Sequence, residues 1–146
     1  MQIRQISIFL ENKPGQLSRI CRDLADAGID IAALSLADTS EFGIVRMVVD
    51  DYEKATRTLS EKGNIVNVAG VVAVLVPDTP GGMAGVMAVL DKAGVNIEYS
   101  YAMCGGAPQG SAMLFFRFGD NEKAEAALLA AGYKMASEKD LERPAR

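Results

Sequence analysis

The sequence predicts an α+β protein made of two tandem β-α-β-β-α-β units, residues 1–68 and 69–146, with antiparallel sheets and helices on one face of each. A prolyl-glycyl turn recurs: Glu11-Asn12-Lys13-Pro14-Gly15-Gln16-Leu17 returns as Pro77-Asp78-Thr79-Pro80-Gly81-Gly82-Met83. Each copy follows an alternating apolar run and opens an amphipathic stretch. Each stretch closes on the same signal, Ala27-Gly28-Ile29-Asp30-Ile31 and then Ala93-Gly94-Val95-Asn96-Ile97. Self-similarity at a fixed spacing marks a duplicated unit, and it constrains the architecture before any single element is read.

In the first unit, Gln2–Leu10 alternates, with Ile6, Ile8 and Leu10 on one face, which is a strand pattern. Asn12–Gly15 is a turn punctuated by Pro and Gly. Leu17, Ile20, Cys21, Leu24 and Ala27 follow at helical spacing, Gly28 ends the helix, and Arg19, Arg22, Asp23 and Asp26 form its polar face. Ile29–Leu36 and Gly43–Val49 are rich in β-formers and are joined by the polar segment Asp38–Phe42, a hairpin signal. Asp50-Asp51 opens a second helix with Tyr52, Ala55 and Leu59 inward and Gly63 as its stop, and acidic residues there suit the helix dipole. Ile65–Val68 is a last strand. The order is that of the split βαβ or ferredoxin-like motif.

The second unit repeats the series. Val72, Val74 and Val76 stand in place of Ile6, Ile8 and Leu10, and Glu122-Lys123-Ala124 in place of Glu53-Lys54-Ala55. A helix is expected from about Met83 to Ala93, strands at Val95–Met103 and Ser111–Phe118, a helix at Asn121–Ala131 and a short strand at Tyr133–Ala136. The hairpin loop, Cys104–Gly110, is longer than its first copy. Ser137–Arg146 is polar and expected to fray. Only Ala69-Gly70 separates the units, so the last strand of the first is expected to run into the first strand of the second. Met83 to Leu90 carries no charge. A helix apolar all round is expected to be buried all round, either between its sheet and the other repeat or, as favoured here, in a homodimer contact eased by Gly85 and Ala88.

Charged residues are 23% of the 146-residue chain and the formal net charge is −4. A nucleic-acid or anionic-membrane partner requires clustered Lys and Arg, so neither is expected. Phe115, Phe116 and Phe118 on one strand have the look of an RNA-stacking sheet, but the acidic balance assigns them to packing. Tyr99 and Tyr101 share a strand face and either line a pocket or fill the sheet–helix core, the commoner fate. Cys21 lies on an apolar helical face and Cys104 in the Gly-rich loop; neither a disulfide framework nor a zinc site follows, and a reducing cytoplasm suits both. Met1–Leu10 is interrupted by Arg4, Gln5 and Ser7 and is not read as a signal peptide. No apolar run reaches the length of a membrane span.

The sequence contains no histidine. The commonest general base and metal ligand is absent, and with it every Ser-His or Cys-His nucleophile pair. There is no Cys-x-x-Cys, no phosphate loop and no dinucleotide fingerprint. No catalytic residue, metal site or cofactor is predicted, and Asp50-Asp51 is read as a helix start rather than a metal site.

The turn before each first helix carries the remaining chemistry. A helix start offers unpaired N–H groups and a positive dipole end, which suit a carboxylate. Gly15 and Gly81 let a ligand approach the backbone. Asn12 has donors and an acceptor, whereas an ionised Asp78 has only acceptors and suits an ammonium group. The plain alternative is that Asn12 and Asp78 cap the helices. The preference of Pro for the first helical position instead puts Lys13 and Thr79 at the cap positions and Asn12 and Asp78 one residue outside; Thr79 could cap, Lys13 could not. Asp30 and Asn96 recur at the start of the second strand in each unit, where a single polar residue is ordinary but a repeated one is less so.

These residues carry a resemblance. Leu10-Glu11-Asn12-Lys13-Pro14-Gly15-Gln16-Leu17 with Ala27-Gly28-Ile29-Asp30-Ile31 resembles the ACT domain family, and Asp78-Thr79-Pro80-Gly81 with Ala93-Gly94-Val95-Asn96-Ile97 resembles it equally. The resemblance covers nearly the whole chain as a tandem pair. It implies small regulatory modules that bind a free amino acid between domains paired sheet edge to sheet edge. By the same resemblance, Asn12 and Asp30 in the first unit and Asp78 and Asn96 in the second contact the ligand. The turn residues Pro14, Gly15, Gln16, Leu17 and Pro80, Gly81, Gly82, Met83 complete the two sites. In contrast to many such proteins, a stand-alone tandem pair without an attached catalytic domain is expected.

The expected function is therefore a non-catalytic, cytoplasmic, homodimeric sensor of a free amino acid, signalling through altered domain pairing to a metabolic enzyme. Two alternatives stay open: a structural adaptor that dimerises or docks on an enzyme without ligand, and a small enzyme using Cys104 or the tyrosines.

Overall fold

The computed structural model describes residues 2–38 and 41–141. Packing divides it into two compact units, Arg4–Ala69 and residues 70–141 with Gln2 and Ile3. The first comprises β1 (Ile3–Glu11), α1 (Gln16–Asp26), β2 (Ile31–Asp38), β3 (Phe42–Val49), α2 (Tyr52–Glu61) and the start of β4 (Ile65–Pro77). Its sheet runs β2-β3-β1-β4. β3 is antiparallel to both neighbours, with Ile8 opposite Val45 and Leu34 opposite Met47. The alternation seen in the sequence turns Ile6, Ile8, Leu10, Val45, Met47 and Val49 to one face. There they pack with Ile20, Leu24, Ala55 and Leu59 from the two helices. Burying a side chain of this size contributes roughly 1.5–3 kcal/mol, and this single layer of contact holds α1 in place over the sheet.

The second unit uses the rest of β4 with α3 (Gly82–Ala93), β5 (Ile97–Ala102), β6 (Ser111–Phe118), α4 (Asn121–Ala130) and β7 (Lys134–Met135). The strands run β4-β6-β5, and β7 pairs with β4. β4 is continuous over 13 residues, as the short Ala69-Gly70 junction predicts. The duplication extends to irregularities: the strand ladder slips between Ile31 and Ala33 and again between Ile97 and Tyr99. The units thus share the antiparallel ferredoxin-like plan read from the sequence, with both helices of each on one face.

Four expectations need correction. Asp23 is not on the solvated face of α1: it is buried, and Lys62 Nζ donates to its Oδ1 at 3.0 Å. The pairing satisfies a carboxylate that helical spacing alone assigned to water. α3 is not buried all round within the chain, because Gly82, Val86 and Leu90 face the core while Met83, Ala84 and Ala88 are exposed. Tyr101 does not fill the sheet–helix core. It lies opposite Phe115 in the ladder, with ring centroids 5.7 Å apart, on the face away from Phe116 and Phe118. The C-terminal stretch forms a 3₁₀ turn, Glu138–Leu141, with Leu141 buried; Thr39 and Ser40 of the first hairpin loop, and residues 142–146 of the expected fraying tail, lie outside the described residues.

Candidate functional site

The two prolyl-glycyl turns have one geometry. Gly15 has φ 86° and ψ −11°, and Gly81 has φ 87° and ψ −9°. With Pro at the preceding position these are type II turns, which require a left-handed residue after the proline. The carbonyl of Lys13 accepts from Gln16 N at 3.4 Å, and that of Thr79 from Gly82 N at 3.0 Å. A side chain at Gly15 or Gly81 would be strained by the backbone alone. Each turn hangs on the hairpin loop of its own unit: Asn12 N donates to Glu41 O at 3.0 Å, and Asp78 N to Gly110 O at 2.9 Å.

The caps differ from both sequence expectations. Gly15 and Gly81 occupy the cap positions, and no side chain bonds to the helix there. Neither Asn12 and Asp78 nor Lys13 and Thr79 caps a helix, because the type II turn brings the chain into the helix two residues after the proline. α2 and α4 behave otherwise. Asp51 accepts from Lys54 N at 3.0 Å and Asp120 from Lys123 N at 3.1 Å. In both repeats, then, one helix start is closed by a carboxylate and the other is left open. Among the described residues, the amides of Leu17 and Ser18, and of Met83 and Ala84, make no hydrogen bond.

Of the predicted site residues, Asn12, Pro14, Gly15, Asp78, Pro80 and Gly81 are exposed on the turns, Gln16 and Leu17 are half-buried, and Met83 is exposed. Gly82 is buried, and a Cβ there would fall on the carbonyl oxygen of Pro77, so only glycine fits. Asp30 and Asn96 sit elsewhere. Asp30 N donates to Asp50 Oδ1 at 3.0 Å, and Asn96 O accepts from Gly119 N at 2.9 Å. Asp30 is separated from Asn12 by the length of α1, about 16 Å at the helical rise of about 1.5 Å per residue over its 11 residues. One unit does not bring the two polar positions together.

The first unit instead brings Gln16 together with residues that the sequence reading did not select. A cleft of about 300 Å³ beside its turn is lined by Phe9, Glu11, Gln16, Arg19, Asn64 and Ile65, among others. Arg19 Nη2 donates to Gln16 Oε1 at 3.0 Å and to Asn64 Oδ1 at 3.3 Å. Two neutral amides therefore hold the guanidinium, and among the described residues no carboxylate lies within ion-pair distance of it. At helical spacing Arg19 reads as ordinary solvated surface. The signal is tertiary, since Asn64 joins it only because β4 starts where β1 ends.

Glu11 forms an ion pair with Lys13, Oε2 to Nζ 2.7 Å. The hydrogen bond from Lys13, with its charge, holds the Glu11 carboxyl below the usual glutamate range, and Glu11 raises the lysine in turn. A carboxylate depressed in the folded state adds stability above its unfolded pKa, and this is lost as pH falls through the folded value. Both groups are fully exposed, so salt weakens the pair. An NMR titration should find the Glu11 carboxyl titrating below the ordinary glutamate value and returning upward in Lys13→Met; an unchanged midpoint would refute the pairing.

Among the described residues no group of three or more potential metal ligands converges, and no helix is long and apolar enough to cross a membrane.

The ACT domain pair family matches this chain over residues 1–144. The crystal structure of protein BT0572 from Bacteroides thetaiotaomicron is 35% identical, with a TM-score of 0.90 over 97% of this chain and 96% of that one. The ligand-free regulatory subunit of aspartate kinase from Thermus thermophilus superposes with a TM-score of 0.67 at 19% identity, covering 88% of this chain and 89% of its own. The regulatory subunit of aspartate kinase from Thermus flavus gives 0.58 at 20% identity, covering 88% and 91%. At these identities the two subunits share the fold. No curated protein matches the chain.

Proposed function

The chain belongs to the ACT domain pair family, and from that premise we propose that it is a non-catalytic regulatory module that binds a free amino acid. The observation that carries this reading is the open helix start repeated in both units, each on a type II Pro-Gly turn, while the other helix of each unit is capped by its own aspartate. Bare amides at a positive helix end suit the carboxylate of a zwitterion. Asn12 and Asp78 stand exposed on these turns, each held by its own backbone N–H to a hairpin-loop carbonyl. Asp30 and Asn96 join such a site where units pair, since within one unit they lie at the far end of the helix. Ligand that favours one pairing over another supplies the signal through its differential affinity.

We take the chain to act as a cytoplasmic homodimer on a metabolic enzyme; two of the structures that share its fold are regulatory subunits of aspartate kinase. The exposed, uncharged side of α3 (Met83, Ala84, Ala88) is the surface offered for self-association. That same side favours a second reading, an adaptor that docks without ligand. A thermal-shift screen of the twenty common amino acids separates the two. A ligand at a hundred times its Kd stabilises by about 2.7 kcal/mol, a plain rise in melting temperature. A screen in which no amino acid moves the transition overturns sensing and leaves the adaptor. Asn12→Ala and Asp78→Ala then report which turn is used.

A further inference from the structure

We propose that the ligand is an apolar amino acid held only in the first unit, in the cleft beside the β1–α1 turn, with its carboxylate on Arg19. The inference rests on the amino-acid-binding reading and assigns its site and side-chain class. Arg19 is the one guanidinium of the cleft. Its Nη2 is held on Gln16 Oε1 and Asn64 Oδ1, so the planar donor group is fixed in direction while its charge goes uncompensated by any carboxylate among the described residues. A guanidinium so held matches a carboxylate and pairs with it by charge-assisted hydrogen bonds. The open amides of Leu17 and Ser18 stand on the same first turn of α1 as Arg19. Glu11 also lines the cleft, and its Oε2 takes Lys13, which leaves acceptor capacity for an ammonium group. Phe9 and Ile65 also line it; Phe9 stacks on Phe42 with ring centroids 5.2 Å apart, and both still present large exposed apolar surface. The volume, about 300 Å³, is at the small end of ligand pockets. Carboxylate, ammonium and apolar body are thus each matched by a lining group.

The duplication provides an internal control. In the second unit the counterparts of Arg19 and Asn64 are Gly85 and Tyr133. The alignment is fixed by shared bonds: Arg19 N to Gly15 O and Gly85 N to Gly81 O, Asn64 N to Leu59 O and Tyr133 N to Leu128 O. There the Tyr133 hydroxyl lies 2.7 Å from where a Cβ on Gly85 would sit. Gln16 is replaced by the buried Gly82 and Glu11 by Pro77. Every charged or amide group of the cleft is lost, and a tyrosine stands where the guanidinium would. The two turns are alike, and of the two positions only the first carries these charged and amide groups beside it.

Calorimetry on the full chain with L-leucine, L-isoleucine, L-valine, L-methionine and L-phenylalanine tests this. At least one should bind with about one site per chain, and its amide, as in leucinamide for leucine, should bind at least about tenfold more weakly, as expected on losing a charge-assisted pair. Arg19→Gln should weaken the acid about tenfold or more and remove the preference over the amide. Asn64→Tyr, which copies the second unit, should abolish binding, and Tyr133→Phe should leave it unchanged. Arg19 is exposed, and circular dichroism with an unshifted melting curve for the free protein checks that each variant folds. Wild-type affinity in Arg19→Gln, two sites per chain, or binding confined to charged amino acids would overturn the assignment and leave amino-acid sensing standing. If no amino acid binds at all, both fall.

Discussion

Phe116→Ala is expected to destabilise the second unit by about 3–5 kcal/mol, the range for emptying a buried aromatic site. Phe116 is 0% exposed, and its ring stacks on Phe118 with centroids 5.2 Å apart. It lies opposite Val72 on the ladder and in one cluster with Val86, Leu90 and Leu128. The first unit explains why collapse will not relieve the loss. Its counterparts are Met47 and Val49 where the second unit has Phe116 and Phe118, and Ile20 where the second has Val86. The second unit therefore combines larger residues on β6 with a slimmer helix, and α3, already close through Gly82 and Val86, has little side chain with which to follow an alanine inward. Denaturant unfolding should show a lower midpoint with an unchanged slope for the second-unit transition, and a melting shift on the order of 10 °C. A loss under about 1 kcal/mol would mean that the site repacks and that the ring is no keystone.

The fold was legible because its signals are local. Alternation in Ile6, Ile8 and Leu10, the Pro-Gly turns and the closing glycines each act within a few residues, and repetition doubled every one. The capping geometry was misread because two local rules competed: the preference of proline for the first helical turn lost to the type II turn that a left-handed Gly15 permits. Asp23 and Tyr101 were misplaced for a different reason. Period alone assigns a face, but what covers that face depends on Lys62 and on Phe115, which are distant in sequence. The candidate cleft follows the same logic. Gln16 was selected for its place on the turn, whereas Arg19 and Asn64 carry no motif and meet only when the strand order sets the end of β1 beside the start of β4. The turn itself was visible in both copies, and the difference between the copies, an arginine against a glycine, gained meaning only once Tyr133 was seen to occupy the vacated space.

The second large effect is expected at Asn121, which sequence reading treats as a plain helix start. Its side chain is buried and uses both ends: Oδ1 accepts from Phe118 N at 2.9 Å, and Nδ2 donates to Gly70 O at 2.9 Å and to Gln2 Oε1 at 3.2 Å. It thereby ties the end of β6 to the middle of β4 and to Gln2, just before β1. In Asn121→Ala the Gly70 carbonyl keeps a donor, because Arg117 Nη1 also bonds it at 2.7 Å. The Phe118 amide loses its Asn121 acceptor, in a residue only 1% exposed. Stranding a buried donor costs about 1–3 kcal/mol, so a loss of about 2–3 kcal/mol follows once the weaker Gln2 bond is included. The neighbouring exposed Glu122→Ala should stay within about 0.5 kcal/mol, as surface changes do. Hydrogen exchange separates this cause from a general loosening: the Phe118 amide should lose protection far beyond that of the Phe116 amide in the ladder. Equal loss at both positions would mean that the asparagine stabilises the sheet as a whole and that its bond to Phe118 has no special role.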